Sequence, residues 1–435
     1  MSASDLPLDT ALPIDEISRA RLESDGLRLA LVDAHDQDAY ESWFRVESRG
    51  FHDGEPTPEH IAWRRTFPFD GNRVTGVFDD TIANPHAPVA TTVCWPAELT
   101  VPGGRSVSSW AVSGVSVAPT HRRRGIARAL MEAELRTASA LGQPVAMLTV
   151  SESTLYGRYG YSPAALARDV TVVTKRARWT GPQPTGRVHF LTAEQLREVG
   201  HEIVERVRLR TPGQISYSGL LWERQLGFSP SDQHAKRLRF IRYDDADGTP
   251  QGFAVYRLVE NADDFTQHEL VLQTLVAATT DAYAGLWRFL IEMDLVAKVS
   301  AHLRPVDESL RWMLDDFRAV QVSEFDHLWV RVLDVAAALS ARTYARADRI
   351  VLKVTDPLGF ADGTWLLDVS ASGSATVTPS DEPADATLSV NALGSLYLGG
   401  ATAHHLAATG ALTGDAERLD GLFRSPVEPY LSIWF

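Results

Sequence analysis

The chain has 435 residues, of which 44% are hydrophobic and 23% charged, and its 42 basic against 56 acidic side chains give a formal net charge of −14. This length exceeds the roughly 250 to 300 residues at which a single hydrophobic core stops growing, so two or three domains are expected. The composition excludes wholesale disorder, and the negative charge argues against a general nucleic-acid-binding surface and favours a cationic substrate.

The cysteine content and the N-terminal residues indicate the compartment in which the protein resides. The single cysteine, Cys94, can form neither an intramolecular disulfide nor a Cys-rich metal site, and in the run ATTVCW it is expected to be a buried strand residue. The N-terminal residues contain early acids and prolines without the basic and apolar segments of a signal peptide. No apolar run approaches the roughly 18 to 20 residues needed to span a bilayer. The sequence predicts a cytoplasmic protein without integral membrane association.

The first half of the chain alternates strand and helix patterns. Residues 1–26 are polar, with a possible short helix in DEISRARLES, and we interpret them as an arm outside the core. Strand-like runs follow from Leu27, then the strand SSWAVSGVSVAP, a helix over HRRRGIARALMEAELRTASALG that ends at Gly142, and the buried strand PVAMLTVS. A mixed α/β domain is therefore predicted over residues 27–180, followed by the Pro- and Gly-rich break TGPQPTG.

Two further domains are predicted. Residues 187–332 repeat the α/β rhythm, with a helix in AEQLREVGHEIVERVRLR, three strands, and a helix in AYAGLWRFLIEMDLVAKV. Residues 333–435 shift to short strands separated by turn residues, with two short helical stretches near the end. This pattern predicts a third, α+β domain.

The segment VSGVSVAPTHRRRGIARALM is the most informative. A strand runs into Arg122–Ala127, of the form R-x-x-G-x-A, and then directly into an amphipathic helix. Backbone N–H groups and the positive helix end would point at whatever lies in front of this turn, Gly125 would allow close approach of the backbone, and the arginines add charge. A diphosphate is the natural ligand of such a turn, although a basic helix start on a solvated surface would give the same pattern.

These motifs resemble a known superfamily. The strand-to-helix turn is similar to the acetyl-CoA signature of the GCN5-related N-acetyltransferases (GNAT), and LTVSESTLYGRYGYSPA is similar to their next strand, loop and tyrosine. With two GNAT-like units, a third domain and a terminal phenylalanine, the chain resembles the Eis (enhanced intracellular survival) acetyltransferases. The resemblance implies an α/β (α+β) protein with two tandem GNAT-like mixed-sheet domains followed by a sterol-carrier-protein-like domain. It also implies acetyl-CoA as co-substrate, no metal, and a homo-oligomer, a hexamer.

The resemblance also implies roles for individual residues. Tyr156 occupies the position of the general acid, and the terminal carboxylate of Phe435, delivered by the third domain, that of the general base. From the residues alone, Tyr159 and Tyr161 remain alternatives for the acid. Residues implied to bind the cofactor are Val115, Ser116, Val117, Arg123, Arg124, Gly125, Ile126, Ala127, Arg128, Ser151 and Glu152.

The substrate is implied to be a cationic amine, such as an aminoglycoside, a polyamine or a lysine. Asp53 and Trp63 fall where the family lines its substrate cleft, and they would offer charge and an aromatic face. We interpret Glu55 and Glu59, beside Pro56 and Pro58, as ordinary acids of a helix start. The penultimate Trp434 departs from the polar residue of relatives, so the resemblance implies no substrate contact at this position.

The remaining units offer weaker candidates. The second α/β unit has AATTDAYAGLWRFL where the R-x-x-G-x-A turn would stand, so we interpret it as a degenerate, structural GNAT unit. The third could instead keep a lipid tunnel, which gives the alternative of a non-catalytic lipid- or ligand-binding protein. His404 and His405 are adjacent and have no acidic ligand at a matching spacing, so a surface helix is expected rather than a metal site.

Overall fold

The computed structural model describes residues 12–67 and 71–435. The helices are α1 (Glu16–Ser24), α2 (Gln37–Gly50), α3 (Pro58–Arg64), α4 (Ile126–Ala140), α5 (Ser153–Tyr156), α6 (Ala193–Arg208), α7 (Gly219–Gln225), α8 (Thr280–Ile291), α9 (Val335–Ala341), α10 (Val390–Tyr397), α11 (Ala403–Ala408) and α12 (Ala416–Phe423). The strands are β1 (Arg28–Leu31), β2 (Arg73–Phe78), β3 (Ala90–Val101), β4 (Arg105–Val117), β5 (Val145–Thr149), β6 (Ser162–Val173), β7 (Arg187–Leu191), β8 (Leu238–Asp244), β9 (Pro250–Val259), β10 (His268–Ala277), β11 (Val296–Arg304), β12 (Val320–Val332), β13 (Asp348–Thr355), β14 (Gly363–Val369), β15 (Ala375–Pro379), β16 (Ala386–Ser389) and β17 (Leu412–Gly414).

Backbone contacts divide the chain into two compact units. The first contains the described residues up to Ala164, together with Leu328–Ser425 and the last residue, Phe435. The second contains Ala165–His327 and the tail segment Pro426–Trp434. Most of the domain predicted over residues 27–180, up to Ala164, and most of the predicted third domain therefore belong to one unit, whereas residues 165–180 belong to the other.

The first unit is built on two sheets. In the larger, β1 to β4 are antiparallel neighbours, β4 runs parallel to β5, and β5 pairs antiparallel with the end of β12. In the smaller, the strand order is β15-β14-β13-β16-β17. A fully buried ion pair lies in this unit: Arg331 of β12 contacts Asp356, just after β13, at 2.6 Å. The catalytic and third-domain sequences thus share a common interior.

The N-terminal residues correct one prediction. The helix expected in DEISRARLES is confirmed as α1, but it is not part of an arm outside the core. Leu22 is buried in a cluster with Ile126 and Ala129 of α4, and the Ser18 hydroxyl donates to the Ala129 carbonyl at 2.7 Å. The apolar face of α1 is too short to pack alone, and burying it on α4 removes Leu22 from water. The interpretation as an arm is therefore wrong for the described part of this segment.

The second unit has a comparable sheet. Its strand order, from the part of β6 that belongs to it, is β6-β11-β10-β9-β8-β7, and β10 and β11 are parallel. A core around the fully buried Trp287 of α8 fills one face. The sequence predicted a helix through 299, but α8 ends at Ile291 and residues 296–304 form β11. Apolar residues at both helical and strand spacings made this boundary ambiguous.

Within the described residues, no helix is both long and apolar enough to cross a membrane. Other local predictions are confirmed. The helix predicted over HRRRGIARAL begins at Ile126 and ends near the predicted residue, where Gly142 has the positive φ of +68° typical of a helix terminus. Cys94 is fully buried in β3, and burial raises the pKa of its thiol well above the usual value, which makes it inert as a nucleophile.

Candidate active site

A bulge in β4 shapes the predicted cofactor strand. Ser113 pairs with Val93 and Ser116 with Thr91, so Gly114 and Val115 together oppose a single residue of β3. Gly114 has a φ of +61°, and its carbonyl accepts from the Thr91 hydroxyl at 2.8 Å. A residue inserted in this way bends the strand and redirects the backbone that follows it. The bulge therefore takes Gly114 and Val115 out of the regular ladder, and Ser116 and Val117 rejoin it opposite Thr91 and Ala90.

The neighbouring strands diverge at the same level. The parallel ladder between β4 and β5 pairs Ser109–Ala111 with Val145–Met147 and ends there, although β4 continues to Val117 and β5 to Thr149. Beyond this point, the backbone polar groups on that edge of β4 have no strand partner among the residues that the structure describes. Unpaired strand groups accept an extended chain of amides as they would another strand. We call the gap between the end of β4, from Val112 to Val117, and the end of β5, at Leu148 and Thr149, the fork. The pantetheine arm of acetyl-CoA carries such amides, so it fits this fork.

The turn after β4 fits a diphosphate. Gly125 caps α4 in the left-handed conformation with a φ of +74°, and Arg123 shares that conformation with a φ of +65°. Among the described residues, no side chain caps the first N–H groups of α4, at Ile126, Ala127 and Arg128, and the first turn contains no acid. The first N–H groups of this 15-residue helix therefore remain available to an anion.

The arginines of this turn differ in what they contact. Arg124 donates to the Asp25 carbonyl at 2.6 Å and lies 3.5 Å from Asp79, which also contacts His121 at 3.2 Å. Hydrogen bonds from Thr81 hold the pKa of Asp79 well below its usual range, so it stays ionised there. Arg124 therefore anchors the turn. Arg123 is exposed, and Arg128 is paired with Glu132 at 3.0 Å on the solvated face of α4.

The segment after β5 carries the remaining predicted cofactor contacts and the acid. Ser151 and Glu152 are exposed, and Glu152 directly precedes the short helix α5. Tyr156 ends that helix and is 8% exposed, within a cluster that also contains Val150 and, at its edge, Val115. The predicted acid thus packs among residues of both arms of the fork.

Burial separates the three tyrosines. The Tyr161 hydroxyl is fully enclosed and without a hydrogen-bond partner among the described residues, so it cannot reach a ligand without rearrangement. Burial raises the pKa of Tyr159, and the nearby charges of Arg158, Arg128 and Arg21 oppose this rise. Tyr159 therefore lies near these three arginines. Burial, reinforced by the charge of Glu152, raises the pKa of Tyr156 to about 12, so this hydroxyl keeps its proton at neutral pH.

Phe435 lies at the end of β5. The Thr149 hydroxyl donates to a terminal oxygen of Phe435 at 2.7 Å, and the Phe435 backbone N–H lies 3.3 Å from the same hydroxyl oxygen. The Phe435 ring packs edge-to-face against Trp95 of β3, with centroids 5.7 Å apart. Sequence reasoning named Phe435 but assigned no role to Thr149 or Trp95. Thr149 lies within the segment LTVSESTLYGRYGYSPA, where a hydroxyl at the carboxyl end of a strand was an available signal, whereas Trp95 lies outside the motifs.

The predicted substrate residues come from consecutive elements. Asp53 is exposed in the loop between α2 and α3, and Trp63 lies half-buried on α3, where its ring stacks edge-on with Phe67 at 5.0 Å. Glu55 forms an ion pair with Arg45, and Glu59 lies in the first turn of α3. The interpretation of Glu55 and Glu59 as structural acids is supported by these positions.

The helix and parallel strands of the second unit differ from α4 and its neighbouring strands in the first unit. Its equivalent helix, α8, is capped by Thr279, whose hydroxyl accepts from the Ala282 N–H at 3.1 Å, and Asp281 adds a negative charge to the first turn. Its parallel ladder ends at the Leu272–Ala301 pair. Side chains of the tail, Tyr430 and Ser432, line the space beyond this pair. The tail thus stands where an extended ligand would lie.

Several contacts hold the tail within the second unit. The Tyr430 N–H donates to the Pro212 carbonyl at 2.8 Å, and Ser432 contacts Gln214 at 3.0 Å and Tyr217 at 2.9 Å. His327, which is fully buried, contacts the Ile433 carbonyl through Nε2 at 2.8 Å, and its ring lies 4.5 Å from that of Trp434. Hydrogen bonds from the second unit therefore hold Tyr430, Ser432 and Ile433 of the tail in place.

The adjacent histidines lie on the short surface helix α11, as predicted. His404 is paired with Asp420, a partner 16 residues away that the sequence spacing did not indicate. Among the described residues, no group of three or more His, Cys, Asp or Glu side chains could hold a metal ion.

Comparison with known proteins identifies the domains. Sequence models of the acetyltransferase (GNAT) domain match residues 32–164 and 213–332, and that of the sterol carrier protein domain matches 335–432. N-acetyltransferase Eis of Mycobacterium tuberculosis is 33% identical over 402 residues, which cover 90% of this chain and 96% of that protein. An uncharacterized N-acetyltransferase of Streptomyces griseus is 33% identical over 402 residues, covering 89% and 95%. The crystal structure of Eis1 from Mycobacterium abscessus superposes with a TM-score of 0.79 at 28% identity, covering 94% of this chain and 100% of that one. The predicted order of two GNAT domains and a sterol-carrier domain is confirmed.

Proposed function

Because the chain belongs to the Eis family of GNAT-type N-acetyltransferases, we propose that it transfers the acetyl group of acetyl-CoA to an amine of a cationic substrate. In this proposal Tyr156 is the general acid and the Phe435 carboxylate is the base. The observation that carries it is the contact of the Phe435 carboxylate with Thr149, at the end of the strand that forms one arm of the fork.

Acetyl-CoA would supply a thioester whose carbonyl an amine can attack. The start of α4, whose first N–H groups no described side chain caps, and Arg123 would hold the diphosphate, and the edge of β4 at Val115 to Val117, beyond the ladder with β5, would align the pantetheine arm. A backbone N–H of that strand would stabilise negative charge on the carbonyl oxygen. Tyr156, with its pKa raised to about 12, would be protonated whenever the thiolate leaves and could donate its proton to it.

The carboxylate of Phe435 would act on the incoming amine. An ordinary α-carboxyl group has a pKa of about 3.5, so it is a weak base toward an ammonium several units higher. Its charge would orient the ammonium, and it would relay the released proton to water. The hydrogen bond from Thr149 and the packing on Trp95 would hold the carboxylate in one position for this purpose.

A cationic substrate is supported by charge. The chain carries a net charge of −14, and Asp53 and Glu152, both exposed, flank the segments that carry the site. Trp63 is half-buried and could contact a cation through its face. Aminoglycosides, polyamines and lysine side chains share this chemistry.

The test is amine-dependent release of CoA, measured with a thiol-reactive dye and a panel of aminoglycosides, polyamines and lysine peptides. We expect wild-type release with at least one amine. A variant with one glycine added after Phe435 should lose most turnover while binding acetyl-CoA normally, whereas a glycine added before Met1 should have no effect. Unchanged turnover in the first variant would remove the terminus from the mechanism. Acetyl-CoA binding without release for any amine would overturn the substrate class.

A further inference from the structure

The last turn of α1 lies beside the proposed diphosphate turn. A Cβ placed on Gly125 would lie 3.3 Å from Nη2 of Arg21, so this guanidinium stands directly over the glycine that caps α4. The carbonyl of Asp25, at the end of the same helix, accepts from Arg124 at 2.6 Å. The end of α1 therefore contacts the turn at two points.

The position of α1 is fixed by the core. Arg136 of α4 donates to both carboxylate oxygens of Asp15, each at 2.8 Å, and to the Ser18 hydroxyl at 2.8 Å. Leu22, one residue after Arg21, is 1% exposed. A helix held by a bidentate ion pair and a buried leucine presents its neighbouring side chain in a restricted place. The GNAT domain match begins at residue 32, so α1 lies outside it.

The charges around Arg21 are unbalanced. Arg19, on the same helix, is paired with Glu16 and with Glu23 at 3.0 Å. Arg21 has no carboxylate partner in the described ranges, and it faces the positive end of α4, whose first turn has no acid. A cation beside a helix N-terminus is destabilised by the helix dipole. An anion bound between the two would remove this repulsion.

We infer that Arg21 binds the diphosphate of acetyl-CoA from the side opposite the backbone of α4, as a cation that the N-terminal helix adds to the GNAT site. This inference rests on the proposed function, because it requires acetyl-CoA at the turn. The alternative is that Arg21 only stabilises the C-terminal end of its own helix.

Calorimetric titration of the full chain with acetyl-CoA, CoA and 3′-dephospho-CoA separates these alternatives. For Arg21→Gln we expect the Kd of all three ligands to rise about fivefold to tenfold, the range for one charge-assisted contact at a partly exposed site. For Arg21→Glu the rise should be larger, and for Arg21→Lys smaller. Arg19→Gln, which removes a charge two residues away, should leave the Kd within about twofold of wild type.

Two results would overturn the inference while leaving the proposed function intact. The first is wild-type affinity in Arg21→Gln, even if its thermal stability falls. The second is an effect that disappears with 3′-dephospho-CoA, which would assign Arg21 to the 3′-phosphate instead. Failure of the wild-type chain to bind any of the three ligands would overturn the proposed function itself.

Discussion

The Thr149 hydroxyl lies 2.7 Å from a terminal oxygen of Phe435, a residue 286 positions later in the chain. This contact places the end of the third-domain sequence at the end of β5 in the first GNAT domain. A single hydrogen bond to a charged group contributes about 1.5 to 3 kcal/mol, so Thr149 is the obvious side chain through which to test whether the position of the carboxylate matters.

We expect Thr149→Val to lower kcat about tenfold, because the hydroxyl that orients the carboxylate is lost while the volume of the side chain is kept. The Kd of acetyl-CoA should change by less than about twofold, since the backbone of the fork is untouched. Steady-state kinetics with calorimetric binding would measure both. Thr378→Val, on an exposed position of β15, is the matched control. Wild-type kcat in Thr149→Val would show that the carboxylate needs no anchor.

Tyr156 gives a prediction about pH. Its pKa is raised to about 12, chiefly by burial, so the acid should remain protonated throughout the measurable range. We therefore expect kcat to show no alkaline decline up to about pH 10, unlike an enzyme whose tyrosine acid has the usual pKa near 10. Tyr156→Phe should lower kcat about 10² to 10⁴-fold at every pH, the range for general acid catalysis.

Tyr159→Phe is the control for Tyr156→Phe, because Tyr159 is also buried but lies toward the arginines. It should retain most of the wild-type kcat. An alkaline decline with an apparent pKa near 9 to 10 in the wild type, absent from Tyr156→Phe, would contradict the burial argument. Equal losses in the two variants would contradict the assignment of the acid.

Local pattern was sufficient to predict the strand and the helix that flank the proposed diphosphate turn. The strand, the R-x-x-G-x-A turn and the helix are contiguous, so their periodicity and the positive φ of Gly125 follow from residues a few positions apart. The bulge at Gly114 was also signalled, by a glycine within an otherwise β-forming strand, although it was not recognised from the sequence.

Contacts between distant segments could not be predicted in this way. The proposed roles of Thr149, Arg21 and the tail-binding side chains depend on contacts between segments more than a hundred residues apart. The periodicity of a local sequence contains no information about such contacts. The polar composition of residues 1–26 concealed one buried leucine, Leu22, that fixes α1 on α4. The end of α8 was missed for a different reason, because the residues that follow it are apolar enough for either element.

The Arg331–Asp356 pair connects the tyrosine segment, residues 156–161, to the core of the first unit. Arg331 donates through Nε to the Tyr159 carbonyl at 2.8 Å and through Nη2 to Asp356 at 2.6 Å, and both side chains are essentially inaccessible. Removing one charge of a buried pair leaves the other uncompensated. We expect Asp356→Asn to lower the free energy of unfolding by about 3 to 5 kcal/mol and to reduce kcat by loosening the tyrosine segment.

Urea unfolding followed by tryptophan fluorescence would measure this loss of stability. Asp381→Asn, an exposed carboxylate of the third-domain sequence, should change the unfolding free energy by less than about 0.5 kcal/mol. A result for Asp356→Asn as small as that of the control would show that the pair contributes nothing net. Double substitution of Arg331 and Asp356 by apolar residues should recover part of the loss, because no buried charge then remains.

His327, which contacts the Ile433 carbonyl, predicts a pH dependence of stability. Burial lowers the pKa of its ring from 6.5 to about 4, so the folded protein holds it neutral while the unfolded chain takes up a proton below about pH 6.5. The contribution of His327 to the free energy of unfolding is therefore fully present above about pH 6.5 and is lost as the pH falls toward 4. At pH 5 the loss should be about 2 kcal/mol.

Urea unfolding of the wild type and of His327→Gln at pH 7 and pH 5 would isolate this contribution, since glutamine keeps a donor for the Ile433 carbonyl but does not titrate. We expect the wild type to lose about 2 kcal/mol more than the variant between the two pH values. The other titrating groups cancel in the comparison because both chains contain them. Parallel losses in the two chains would show that His327 becomes protonated without leaving its buried position, and would contradict the prediction that its neutral ring is what holds the tail.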